Sequence, residues 1–328
     1  MTTPELEINN LTITFPTEKG ELTAVNDISY QLHAGETLAI VGESGCGKTV
    51  NALSILRLIP SPPGNIRSGT ILFRGVDLLT LPAKELRALR GREISFIFQD
   101  PMTSLNPVLS IGEQIIETLI QHLPIDRKEA HERAVESLRR VEIPSPEEKM
   151  HHYPHQLSGG MRQRVMIAMA LVCEPKILIA DEPTTALDVL IQAQILQLLE
   201  KIKKQSGMSI LLITHDLGIV TEIADRVLVM YAGEIVESGP VDQVFSSPLH
   251  PYTKGLKNSV LQLGQKKSTS RRLHEIPGNV PQLNDLPGGC SFHPRCSVAI
   301  EKCKTQKPQL EEIHPGRSAS CWVVEGES

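Results

Sequence analysis

Gly42-Glu43-Ser44-Gly45-Cys46-Gly47-Lys48-Thr49 follows the apolar run Thr37-Leu38-Ala39-Ile40-Val41 and precedes an apolar-periodic stretch, Val50 to Leu58. Strand, glycine-rich loop and helix in that order make a phosphate site: glycines let the backbone turn and expose its N–H groups, and the helix start adds a positive dipole end. The spacing fits G-x-x-x-x-G-K-[ST], in which main-chain N–H groups cradle phosphates, Lys48 reaches the β and γ groups and Thr49 places its hydroxyl on Mg²⁺. Gly42, Ser44, Gly45, Cys46 and Gly47 form the cradle. Cys46 is an unusual occupant of its position, but the cradle is backbone and is untouched by it. The bland reading, an ordinary tight turn, leaves the residues further along unexplained.

The first of these is Leu157-Ser158-Gly159-Gly160-Met161, where a hydroxyl at a helix start and two residues without bulk offer free N–H groups to an anion. Taken alone, Ser-Gly-Gly reads equally well as a flexible loop. The second is Ile177-Leu178-Ile179-Ala180-Asp181-Glu182, a short continuous apolar run of the kind that forms a buried strand and that ends in two carboxylates. Because a strand alternates its faces, Asp181 is expected to face bound Mg²⁺ while Glu182 is displaced toward an attacking water. A solvated strand end before Pro183 is the alternative.

From about Leu6 to Val241 these residues resemble the nucleotide-binding subunit of an ABC transporter. The resemblance implies an α/β P-loop nucleoside triphosphate hydrolase fold with a helical subdomain, and ATP hydrolysis shared between two cassettes. It implies that Gln99 senses Mg²⁺ and the water and connects to a membrane partner. Asp188 then belongs to a loop crossing the dimer interface, and His215 touches the γ-phosphate. Phe15 is the aromatic expected to stack on adenine, since the other candidate, Tyr30, alternates with apolar neighbours as a strand residue does. Alone, Gln99 reads as a surface amide, Asp188 as a helix N-cap and Phe15 as a core residue. His215 follows the apolar run Ser209 to Ile213 and so sits at a strand's C-terminal end, where open α/β sheets bind ligands.

Composition narrows the classes. Lys and Arg number 33 against 38 Asp and Glu, for a net charge of −5 in 328 residues, so there is no basic surplus to hold nucleic acid. No apolar run approaches the roughly 18 residues of a spanning helix, and the acidic start Met1-Thr2-Thr3-Pro4-Glu5 lacks a signal peptide's charge and apolar centre. The chain is therefore expected not to cross a membrane itself; the resemblance implies that it sits peripherally on the cytoplasmic side of the cell membrane against permease partners.

Pattern shifts suggest an ATP-binding domain over 1–245, a helical subdomain over about 101–158, and a small irregular extension over 246–328. In the helical part Asp126 and Glu129 resemble a capping box, and Ala130, Ala134, Leu138 and Val141 share one face. From Ala168 to Val241, strand and helix alternate as in a parallel sheet with helices on both faces. His151, His152 and His155 lack a nearby carboxylate or cysteine that would complete a metal site. The polar, basic stretch Gln265 to Arg272 reads as a linker.

Beyond the linker lie Cys290, Cys296, Cys303 and Cys321, four of the six cysteines, with five, six and seventeen residues between them. Disulfides are disfavoured in a reducing cytosol, zinc sites usually show tight C-x-x-C pairs, and the spacing matches neither common ferredoxin pattern. Disulfide, zinc and iron–sulfur readings all stay open on spacing alone. Together with His250-Pro251-Tyr252, these cysteines resemble the C-terminal extension of dipeptide and oligopeptide permease ATPases, some of which carry a [4Fe-4S] cluster. The resemblance implies such a cluster on the four cysteines, a second ATPase subunit forming a heterodimer, two transmembrane permease subunits and an extracytoplasmic peptide-binding protein. Other readings are a soluble ABC-type ATPase of DNA repair or translation, an importer of another solute such as nickel, and a redox-sensing tail.

Overall fold

The computed structural model describes residues 3–18, 20–99, 104–184, 188–259 and 276–324. In chain order, β1 (Leu6–Thr17) and β2 (Gly20–Leu32) lead to β3 (Thr37–Val41), α1 (Lys48–Ile55), β4 (Asn65–Phe73), β5 (Val76–Asp77), α2 (Ala83–Leu89) and β6 (Ile94–Ile97). Helices α3 (Ile111–His122), α4 (Arg127–Arg140), α5 (Pro146–Lys149) and α6 (Gly159–Leu171) follow. Alternation resumes with β7 (Ile177–Asp181), α7 (Val189–Ser206), β8 (Ser209–Ile213), α8 (Leu217–Ile223), β9 (Arg226–Tyr231) and β10 (Glu234–Pro240). The chain ends in α9 (Val241–Ser246), α10 (Pro251–Ser259), α11 (Glu301–Thr305), β11 (Glu311–His314) and β12 (Arg317–Ala319). The expected linker over Gln265 to Arg272 lies outside the described residues.

The chain forms two compact units, each discontinuous in sequence. The first holds residues 1–5, 32–36 and 80–212. Here β6 runs parallel to β7, with Ile94 opposite Ile177 and Ile97 opposite Ala180. Its helices carry the capping chemistry of surface helices. Ser110 and Glu113 close a reciprocal capping box at α3, whereas at α4 Asp126 accepts the Glu129 N–H at 2.8 Å. The predicted face of α4 is buried through Ala130, Ala134 and Leu138, with Val141 just beyond its end.

The second unit holds residues 6–31, 37–79 and 213–328. An antiparallel sheet in the order β2-β1-β4-β5 forms one layer. In the other, β3 runs parallel to β9, but β10 turns back antiparallel to β9 and β12 adds antiparallel to β10. The sheet is thus mixed, where alternation over Ala168 to Val241 suggested parallel strands throughout. The cause is the tight Ala232-Gly233 connection between β9 and β10, too short for a crossover.

Against β3 and β9 of this unit, residues of α8, α9, α10 and the C-terminal stretch pack into one buried cluster that includes Val41, Val229, Tyr231, Val244, Tyr252 and Phe292. Each fully buried large apolar side chain contributes about 1.5–3 kcal/mol. The C-terminal residues are therefore knitted into the core that carries β3 rather than trailing from it. Arg317 reaches into that core to pair with the fully buried Glu237 at 3.2 Å and to donate to the Ser247 carbonyl at 2.7 Å.

Candidate functional site: a phosphate loop and an acidic strand end

Within the second unit the phosphate loop leaves β3 and becomes α1 at Lys48. Gly47 caps the helix at φ 101°, and a Cβ there would lie 2.3 Å from the Ala24 carbonyl oxygen. Gly42 is equally confined, since its Cβ would meet the Met230 carbonyl oxygen at 2.2 Å. Only glycine fits either position. Lys48 is buried and folded back, its Nζ donating to the carbonyls of Gly42 at 2.7 Å and Glu43 at 3.0 Å. The amine is thus stored on the loop it would leave to reach a phosphate. Burial pushes the Cys46 thiol up, partly offset by Lys48, so this cysteine stays a neutral packing group.

Three further groups of this unit have defined places. The Phe15 ring is partly buried at the end of β1, near the backbone of Gly64. Tyr30 lies in the core, with its hydroxyl accepting from the Asn51 amide at 2.8 Å and burial raising its pKa. His215 is exposed just after β8, where Thr214 ties back to Ile40 and Asp216 caps α8 through the N–H groups of Gly218 and Ile219.

Within the first unit Asp181 closes β7 and is almost fully buried. Glu182 does not continue the strand. It takes the left-handed conformation at φ 47°, sparsely populated by residues with a Cβ. The two carboxylates are therefore separated by a backbone turn, not by strand alternation. The Gln99 amide donates to Glu182 Oε2 at 3.0 Å, which brings together two of the expected residues from opposite ends of the unit's sequence. Gln163 on α6 holds the turn from the other side, its amide donating to the Pro183 carbonyl at 2.5 Å. The sequence offered no sign of Gln163, because a single buried amide makes no pattern.

Ser158 caps α6 and accepts the Met161 N–H at 3.4 Å; Ser158 and Gly159 are exposed. Gly160 has a packing reason as well, since a Cβ there would lie 3.1 Å from Ile191 Cγ2. Asp188 caps α7 by accepting the Ile191 N–H at 2.9 Å, and the Val189 and Leu190 side chains that follow are 73% and 77% exposed.

At the C-terminal end all four tail thiols are free. Each lies within electrostatic reach of the others, and burial raises the Cys290 thiol to about 11, with Cys303, Cys321 and Cys296 adding to the rise. Yet among the described residues no three His, Cys, Asp or Glu side chains stand close enough together to hold a metal ion. The arrangement of the four cysteines thus does not form the metal site that the resemblance implied. Cys303 is buried and the other three are partly buried. Before α6, Tyr153 stacks on His155, and His152 Nδ1 lies 3.1 Å from the Glu148 carbonyl oxygen.

The described helices include none long and apolar enough to cross a membrane. The ABC transporter family profile matches residues 25–185, spanning the phosphate loop, Gln99, Ser158 and both carboxylates. A second profile, described as the oligopeptide/dipeptide transporter C-terminal region, matches residues 236–303. The oligopeptide transport ATP-binding protein AppD of Bacillus subtilis is 51% identical over 322 residues, covering 98% of this chain and 97% of AppD. The chain belongs to the ABC transporter family. It is an ABC-type ATPase subunit, and OppD of Salmonella typhimurium, an oligopeptide transport ATP-binding protein, matches it at 51% identity over 97% of this chain and 93% of OppD. A dimeric ATP-binding cassette solved in a post-hydrolysis state with ADP and Pi superposes with a TM-score of 0.65 at 29% identity, covering 72% of this chain and 98% of the cassette. This likeness confirms the ABC cassette fold.

Proposed function

We propose that the chain is one of two ATP-hydrolysing subunits of a peptide importer, bound at the cytoplasmic face of the cell membrane. The observation that carries peptide import is the match of residues 236–303 to the oligopeptide/dipeptide transporter C-terminal region, in a stretch that shares its core with the phosphate-loop strand. Partners on this reading are a second, non-identical ATPase subunit, two permease subunits and an extracytoplasmic peptide-binding protein. Residues 1–245 form the ATP-binding domain, with the helical subdomain over about 101–158, and 246–328 form the extension.

On this reading each site residue has a role. Gly42, Ser44, Gly45, Cys46 and Gly47 cradle the phosphates through their N–H groups, and Lys48 swings from its loop carbonyls to the β and γ oxygens. Phe15 stacks on adenine. Thr49, Asp181 and Gln99 are the side chains that would hold Mg²⁺, which supplies charge neutralisation on the phosphate oxygens when bound. Glu182, held by Gln99, takes a proton from the attacking water, and His215 stabilises charge developing on the γ-phosphate. Ser158, Gly159, Gly160 and Asp188 serve the nucleotide of the partner cassette, closing over it so that hydrolysis releases the pair.

Cys290, Cys296, Cys303 and Cys321 hold a [4Fe-4S] cluster on this reading. What supports it is the match of residues 236–303 to the oligopeptide/dipeptide transporter C-terminal region, which takes in Cys290, Cys296 and Cys303; bound iron would supply the positive charge that holds four thiolates together. Anaerobic purification with iron and sulfide assays tests the cluster, and colourless protein holding one Zn²⁺ would sink it. Import is tested in proteoliposomes containing both ATPases and the permeases. Hydrolysis should rise when peptide-loaded binding protein is added, and stimulation by a nickel-loaded binding protein instead would reassign the cargo.

A further inference from the structure

Glu43 is an awkward residue for a phosphate loop, because it puts a carboxylate between two glycine-flanked positions that must receive a polyanion. The structure leaves none of its polar groups unattended. Its N–H donates to the Tyr252 hydroxyl at 2.8 Å, and its carbonyl accepts from Lys48 at 3.0 Å. Its carboxylate accepts a two-pronged pair from Arg295, Nη1 to Oε2 at 2.7 Å and Nη2 to Oε1 at 3.0 Å. Two of these three partners, Tyr252 and Arg295, come from the C-terminal region.

Arg295 is itself fixed. Its side chain is 5% exposed, against 25% for Glu43. Its Nε donates to the Pro277 carbonyl at 3.0 Å, and its guanidinium lies 5.9 Å from the Tyr231 ring centre and 6.0 Å from that of Phe292. Tyr231, Tyr252 and Phe292 pack against one another with centres 4.7 to 5.4 Å apart, giving the planar fork a rigid seat.

We infer that Arg295 is a positioning residue of the ATP site: it neutralises Glu43 so that the loop meets a polyphosphate without a bare negative charge beside it. The inference rests on the phosphate-loop reading above. At a separation of about 10 Å, an uncompensated unit charge weakens binding of each phosphate charge roughly two- to fifteenfold, depending on solvent screening. The extension thereby sets nucleotide affinity, not only the stability of the tail.

The test titrates ATP, ADP and AMP into the full-length wild-type chain and into R295M, E43Q and the E43Q/R295M double variant. R295M should weaken ATP about tenfold, ADP less and AMP least, because the penalty scales with phosphate charge. The double variant should return ATP affinity to within about twofold of wild type, since the carboxylate is gone with its partner. A double variant as weak as R295M would reduce Arg295 to a structural tie, and equal losses for ATP and AMP would do the same. ATP affinity unchanged in R295M also overturns the inference. Should R295M not fold, E43Q decides alone: it is expected to bind ATP at least as tightly as wild type, and weaker binding refutes the electrostatic role. A wild-type chain that binds no ATP would instead remove the nucleotide reading on which the inference stands.

Discussion

Changing Glu182 to Gln separates proton transfer from everything else this residue does. The Gln99 amide now donates to Glu182 Oε2 at 3.0 Å, and the carbonyl of a glutamine can accept the same bond. The exchange of a charged for a neutral acceptor costs about 1 kcal/mol or less. The left-handed backbone at φ 47° is no harder for Gln than for Glu, since the two share their branching. Thermal stability should therefore move by about 2 °C or less in a chain of this size. Loss of a general base costs about 10²- to 10⁴-fold in turnover, equivalent to roughly 2.7–5.4 kcal/mol in the barrier. Phosphate release at saturating ATP should fall by that factor while ATP affinity holds, and light scattering should show a closed dimer accumulating with ATP. Turnover within tenfold of wild type would remove Glu182 from the base role. A melting temperature lowered by more than about 5 °C would show that the turn, not the proton, had been disturbed.

Three other outcomes are expected. Gly47→Ala forces a residue with a Cβ to φ 101° and sets that Cβ 2.3 Å from the Ala24 carbonyl oxygen, so ATP affinity should fall by tenfold or more; titration showing wild-type affinity would contradict this. Ser158→Arg loses only an exposed cap worth about 1 kcal/mol, so ATP should still bind at Lys48 while hydrolysis falls about a hundredfold; persistent ATPase activity would refute a shared site. His250 is buried with a pKa lowered to about 3 by desolvation, and its Nδ1 accepts the Tyr252 N–H at 3.1 Å, so it folds only as the neutral ring. The unfolded chain takes up that proton first, so stability is intact above about pH 6.5 and declines as pH drops toward 3, by about 1.4 kcal/mol per pH unit. Urea midpoints between pH 8 and 5 should show this decline in the wild type and less of it in H250N; parallel profiles would exclude His250 as the cause.

What the sequence made legible was local. The phosphate loop is eight consecutive residues whose chemistry is complete in itself, and its glycines occupy the positions where a Cβ has no room. The continuous apolar runs of β3, β7 and β8 are fully buried, because only a strand covered on both faces tolerates such a run. The Asp126 cap and the Ala130, Ala134, Leu138 face likewise depend on neighbours within a few turns. What escaped depends on distant partners. β12 is three residues long with an arginine at its start, and its pairing with β10 and β11, together with the buried Glu237 on β10 that receives Arg317, comes from partners outside it in sequence. The turn at Glu182 is invisible because the residue is no turn former; its surroundings, including Gln163 on Pro183, impose the conformation.

The pairing of Glu43 with Arg295 is the extreme case, linking residues 252 positions apart. It also changes what the tail means. Cys290 and Cys296 pack against the same apolar cluster as Val41, the last residue before the phosphate loop, and Phe292 lies between them in sequence and inside that cluster. Arg295 precedes Cys296 directly. The short segment from Cys290 to Cys296 carries both Phe292, one ring of the aromatic seat, and the guanidinium itself. The groups that hold the Glu43 carboxylate and N–H, Arg295 and Tyr252, are seated in this packing, with Arg295 tied in addition to the Pro277 carbonyl. The C-terminal residues and the phosphate loop are thus tied to one core, and a cluster bound on the four cysteines, as proposed, should be measurable as a change in nucleotide affinity.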